Sequence, residues 1–145
     1  MISNLLARLM APEPTRLPEP DAQHSLAALM VRVARSDGDY SQAEQSRIDR
    51  ILAQRHTISP FAATALRIEA EALEAAAPDT VRFTRALKAA TDHDHRMELL
   101  EAMWSVALAD GVRDAEEDRL LRLVTNLLGM TDVESALARQ KAMSA

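Results

Sequence analysis

Seven carboxylates of this chain fall into two short stretches, each opening on an Asp-Gly pair. The first is Asp37-Gly38-Asp39-Tyr40-Ser41-Gln42-Ala43-Glu44, and the second is Asp110-Gly111-Val112-Arg113-Asp114-Ala115-Glu116-Glu117. Carboxylate oxygens gathered in a turn suit hard cations such as calcium, magnesium or manganese, because an entering cation relieves their mutual repulsion. Asp37, Asp39 and Glu44 in the first stretch, and Asp110, Asp114 and Glu117 in the second, are therefore the candidate metal ligands. Neither stretch is an EF-hand. Counted from Asp37, the sixth and twelfth loop positions are Gln42 and Ile48; counted from Asp110 they are Ala115 and Leu121, where that loop demands glycine and glutamate.

The same residues also read as helix boundaries. Ser41 with Glu44 and Asp114 with Glu117 have the spacing of a capping box, in which the first side chain accepts from a backbone amide and the second reaches back to the cap amide. Acidic groups in a first turn also complement the helix dipole. Turn aspartates such as Asp37 and Asp110 bond readily to nearby amides, though capping does not require them to be carboxylates. Both turns read as solvated, so raised pKa values are not expected of them.

The elements that must position these turns are helical. With 3 Gly and 3% aromatic residues in a chain 48% hydrophobic, propensity favours helix over strand throughout. From Ala22 to Ser36, Leu26, Leu29, Met30, Val33 and Ala34 form one apolar stripe that stops at Asp37-Gly38. A second helix runs from Gln42 to about Arg55 with Ile48, Ile51 and Leu52 inward. Ser59-Pro60 starts a third, with an apolar side of Phe61, Leu66, Ile68 and Leu73. Pro78 opens a further first turn, before a stretch carrying Val81, Phe83 and Leu87. The tract Asp92-His93-Asp94-His95 reads as a polar break, and the helical pattern resumes at about Arg96. Gly129 is a stop, Thr131 with Glu134 a capping box, and a last helix runs through Val133 and Leu137 toward residue 143.

The first pattern returns at an offset of 73 residues. Leu26 falls on Leu99, Met30 on Met103, Val33 on Val106, Ala34 on Ala107, Asp37 on Asp110, Gly38 on Gly111, Ser41 on Asp114, Glu44 on Glu117, Ile48 on Leu121 and Ile51 on Val124. Two copies are too few for a solenoid, and a pseudo-symmetric pair of helical hairpins is the expected arrangement.

This doubled pattern, an apolar helix ending in Ala-x-x-Asp-Gly followed by a glutamate that opens the next helix, resembles the tellurite-resistance TerB-like family over roughly residues 22 to 143. The resemblance implies an all-α fold of about seven helices, acidic residues proposed to bind metal ions, association with bacterial tellurite or stress response, and no established enzymatic activity. Carried over by position are Asp37, Gly38, Ser41 and Glu44, with Asp110, Gly111, Asp114 and Glu117. Arg113 departs from the pattern, standing where Tyr40 supplies an apolar residue in the first copy.

Composition sets outer bounds. The chain of 145 residues is the size of one domain. A net charge of -5 argues against nucleic-acid binding, which needs a basic face to neutralise phosphates. Cysteine chemistry is excluded by the absence of cysteine. No apolar run reaches the length of a membrane span, and no secretory signal is visible at the start, so a cytoplasmic protein is expected. Residues 1–20 divide into a short amphipathic segment, with Ile2, Leu5, Leu6 and Leu9 at helical spacing, and a linker interrupted by Pro12, Pro14, Pro18 and Pro20; the domain proper spans residues 21–145. Residues 1–10 have a single Arg, giving at most weak membrane contact against the packing of this segment on its own domain. The alternation Asp92-His93-Asp94-His95 could ligate zinc, but a cap-rich polar loop explains it more simply. His24 and His56 read as surface or helix-end residues, and Trp104 as core. No nucleophile elbow, phosphate loop or zinc-protease motif is present, so no enzyme is expected. The function that emerges is a module binding a divalent cation or a protein partner through its acidic turns. The alternative is an interaction domain whose acidic motifs are helix caps only.

Overall fold

The fold is organised around one buried helix. Ala22–Arg35 is α1, and Ser25 through Val31 together with Val33 and Ala34 are all buried. A run apolar on nearly every side must be enclosed on nearly every side. The computed structural model, which describes residues 20–111 and 114–144, surrounds α1 with α2 (Gln42–His56), α3 (Pro60–Ala76), α4 (Val81–Ala90), α5 (His93–Ala107) and α6 (Ala115–Leu127), while α7 (Asp132–Ser144) packs on α5 and α6. Seven α-helices and no strand occur among the described residues. The amphipathic segment at residues 1–10, Pro12, Pro14 and Pro18 of the linker, and Arg113 lie outside them.

Local chemistry fixes the helix ends. Asp21, Ser59 and Asp92 each accept from the amide three residues on. Ser41 and Glu44 form the complete reciprocal box, as do Thr131 and Glu134. Gly38 and Gly111 sit at φ of 84° and 76°, a left-handed conformation that a Cβ would strain, so each lets the chain turn sharply out of the preceding helix. The C-terminal carbonyls of α3 are satisfied from outside. Arg32 Nη2 donates to the carbonyls of Glu74 and Ala77 at 3.0 and 2.6 Å, and Arg32 and Arg35 both pair with the Glu74 carboxylate. These bonds lock α3 against the polar edge of α1.

The repeat carries through to burial. Leu26 and Leu99, Met30 and Met103, Val33 and Val106, Ala34 and Ala107, and Ile48 and Leu121 are buried pairwise, as is Trp104 at the position matching Val31. Other readings are corrected. In α3 the buried face is Ala63, Leu66, Arg67 and Ala70, whereas Phe61 and Ile68 are exposed. Arg67 is buried because Asp49 and Glu71 neutralise it at 2.6 and 2.8 Å, a pairing that hydropathy does not register. Pro78 precedes the helix; Thr80 is the N-cap of α4, and Val81 faces outward. Asp92-His93-Asp94-His95 is the start of α5, not a break before it, because Asp92 caps it. His93 pairs with Glu134 at 2.5 Å and His95 with Asp92 at 2.6 Å, so the tract makes helix-end contacts. In α7, Ser135 and Ala138 are buried while Val133 and Leu137 are exposed: small residues let α7 approach α5, and Ser135 Oγ accepts from Trp104 Nε1 at 3.0 Å.

Truncating Leu29 to Ala, at the centre of α1, should destabilise the domain by about 2 to 5 kcal/mol. Val133→Ser, on the exposed face of α7, should stay within about 0.5 kcal/mol of wild type. Urea unfolding followed by circular dichroism measures both; similar losses at the two positions would contradict the packing described.

Candidate metal centre at the paired acidic turns

Each Asp-Gly turn leaves one helix and enters another at the same end of the bundle, α1 to α2 in the first copy and α5 to α6 in the second. α1 is packed on α5, and on α2 and α6, so the two turns meet. Asp37, Glu44, Asp110 and Glu117 come together there, each offering one carboxylate oxygen, with all four oxygens within 4.8 Å of one another. The two candidate sites read in sequence are thus one cluster drawn from both copies.

The glutamates are its buried members. Glu44 is 0% exposed and Glu117 1%. Both lie on the inward stripe of their helices, four residues before Ile48 and Leu121, which are themselves buried. Glu44 does two jobs with its two oxygens. Oε1 accepts from the Ser41 amide at 2.9 Å and the Ser41 hydroxyl at 3.0 Å, while Oε2 is buried without a hydrogen-bond partner. Glu117 departs from the expected capping box. Asp114 caps α6 by accepting from the amides of Glu116 and Glu117 at 2.7 and 3.2 Å, but the Glu117 side chain stands in the cluster, its Oε1 buried and unpartnered.

The aspartates form the less buried side. Asp37 Oδ1 accepts from the Asp39 amide at 2.8 Å, which folds the turn back on itself. The ring of Tyr40, 5.1 Å from the Arg35 guanidinium carbon, holds the turn against the end of α1. Asp39 is exposed and Asp114 is engaged as a cap; neither belongs to the four-carboxylate group.

The electrostatics follow from crowding and burial. Loss of solvent pushes the Glu117 carboxyl up to about 9, helped by its hydrogen bond and charge contact with Asp37 and by the charges of Glu44 and Asp110. Burial likewise raises Glu44, against the lowering effect of its Ser41 hydrogen bonds and with the charges of Asp37 and Asp110 adding to the rise. Glu44 and Glu117 are therefore not the solvated, unperturbed carboxylates that the polarity of the turns suggests. At neutral pH the metal-free cluster keeps a proton on Glu117 to limit its negative charge.

Chemically, the cluster is an all-oxygen donor set with no imidazole and no thiolate, which matches hard cations in preference to zinc or copper. Oxygens on opposite sides of a calcium ion stand about 4.6 to 5.2 Å apart, twice its usual bond length, and those across magnesium about 4.0 to 4.2 Å. The four oxygens, all within 4.8 Å of one another, lie on the scale of such a coordination sphere. A groove of about 670 Å³ lies at the other end of the bundle, where His56 and His95 line it away from the carboxylates.

The family model described as tellurite resistance protein TerB matches residues 23–140, a span that takes in both acidic turns and six helices together with most of α7. No curated protein and no solved structure matches the chain. On the family match, which covers well over half of its length, the chain belongs to the TerB family.

Proposed function

We propose that this TerB-family domain holds one divalent hard cation, calcium, magnesium or manganese, between its two acidic turns, and serves in tellurite or stress response as a cation-dependent module for a protein partner. The observation that carries this reading is the pair of buried, unpartnered oxygens, Glu44 Oε2 and Glu117 Oε1, in a group of four converging carboxylates. Helix capping accounts for Ser41, Asp114 and one oxygen of Glu44. It gives no reason to bury two acid groups against each other, which costs several kcal/mol per unpaired ion. A divalent cation neutralises that charge and supplies the missing partner for both oxygens. Asp37 and Asp110 complete the donor set, so the cation ties the α1–α2 hairpin to the α5–α6 hairpin. The ion's role here is charge neutralisation and cross-linking, and no substrate chemistry follows from the site.

Binding should be stoichiometric and proton-coupled. Glu117 must give up its proton for a cation to enter, so calorimetry near neutral pH in buffers of different ionisation enthalpy should register about one proton released per ion, with affinity tightening up to about tenfold per pH unit below the Glu117 pKa. Asp37→Asn combined with Asp110→Asn should abolish the binding heat, while Asp39→Asn should leave it intact. Absence of binding heat with calcium, magnesium and manganese in the wild type would remove the cation from the reading.

Stability should depend on pH in a defined sense. The Glu117 carboxyl titrates near 9 in the folded metal-free state and in the ordinary range when unfolded. Its contribution is therefore fully present below the unfolded value, near 4.5, and is lost as pH rises toward 9, by up to about 1.4 kcal/mol per pH unit. Glu117→Gln keeps the shape and removes the charge. Thermal melts in chelator should show the variant gaining on wild type steadily from pH 5 to about pH 8; a wild-type to variant difference independent of pH would contradict the buried acid.

A further inference from the structure

We propose that the outer face of α3 is a docking site for the chain's own amphipathic segment, residues 2–9. The face is a continuous apolar stripe: Phe61, Ala65, Ile68, Ala72 and Ala75 follow one another at alternating spacings of four and three residues, and all five are exposed. Phe61 is 89% exposed and Ile68 55%, on a helix whose opposite face is buried against α1 and α2. A spacing of four and three is the seam by which one helix receives another, and Ala65, Ala72 and Ala75 leave holes for bulkier side chains.

Three observations select the occupant. The first is where the tether emerges. His24 in the first turn of α1 bonds Glu69 on α3 at 2.8 Å, so the chain enters the domain beside Ile68, the middle of the stripe. Residues 11–20 precede that point with four prolines; at about 3.1 Å per residue they reach up to ~30 Å, more than the ~21 Å length of the stripe. The second is complementarity. Residues 1–10 carry Ile2, Leu5, Leu6 and Leu9 at helical spacing and Arg8 with no acid, while on α3 Glu71 and Glu74 already pair with arginines and Glu69 stands exposed at the edge of the stripe. The third is size. A single helix face of this length offers on the order of 200 Å² in projection, far below the ~800 Å² per partner typical of a stable complex. A free partner or a second copy would bind it weakly, but a tethered segment meets it at an effective concentration in the millimolar range. The leucines fill the alanine holes, and Phe61 and Ile68 are covered in cis.

The chain has no cysteine, so a nitroxide placed at one introduced cysteine reports unambiguously. In the intact 145-residue chain a label at Ala72→Cys should abolish the amide signals of residues 2–9 by paramagnetic broadening, independently of protein concentration. A label at Val133→Cys, on the exposed face of α7, should leave those signals intact, and Leu5→Ser with Leu6→Ser should restore them in the Ala72→Cys sample. Broadening that appears only when labelled, unenriched chains are mixed with unlabelled, enriched ones would assign the face to a second copy and overturn the proposal. So would persistence of the signals of residues 2–9 beside the α3 label, or equal loss from both labels.

Discussion

Two acidic side chains buried against each other are the constraint on which the two turns depend. Glu44 and Glu117 project from the first turns of α2 and α6 onto the inward faces of those helices, where solvent cannot screen them. An ion in such surroundings is tolerated only if it is neutralised or paired. The chain brings two further carboxylates, Asp37 and Asp110, to the same place, and their charges add to the cost. A proton on Glu117 is the remedy available from water, and a divalent cation is the stronger one because it can satisfy several oxygens at once. The helices around the cluster fix its geometry from both sides, with Gly38 and Gly111 bringing the aspartates in and the caps at Ser41 and Asp114 setting where the glutamates begin.

Repetition is what makes this arrangement accessible to one short chain. Each helix–turn–helix unit brings one aspartate and one glutamate, too few donors for a calcium-type site, which takes six to eight oxygens. Placed at the same end of the bundle through the contacts of α1 with α5, two units double the donor set. The cluster thereby lies between the two helix–turn–helix units, built by the fold as a whole. A cation held there would stabilise the folded chain by mass action, by about 2.7 kcal/mol at a hundred times its dissociation constant.

Much of the fold was legible in the sequence because propensity, caps and apolar spacing agreed. The α1 stripe, the Ser41 and Thr131 boxes, the Ser59-Pro60 start and the repeat at offset 73 all have local causes. Burial was misread where a local pattern admits two faces. Phe61 and Ile68 are as periodic as Leu66, and only the pairing of Arg67 with Asp49 and Glu71 shows which side of α3 turns inward. In α7, Ser135 and Ala138 face α5 because Trp104 already fills that space. Of the candidate ligands, Asp37 and Asp110 stand apart in sequence because capping does not require carboxylates there, whereas Glu44 and Glu117 read equally as ligands and as caps. The spacing of Glu44 to Ile48 and Leu52, and of Glu117 to Leu121, already placed both acids on a buried stripe. The convergence of the two turns has no local signature, since it arises from helix packing across 73 residues of sequence.

Carboxyl-carbon NMR of Glu117 tests the buried cluster most directly, with pH titrations in chelator and in saturating calcium or magnesium. The buried, crowded Glu117 should titrate near 9 without metal, and with cation bound it should already be ionised at neutral pH. A Glu117 resonance that titrates in the ordinary glutamate range under both conditions would contradict this.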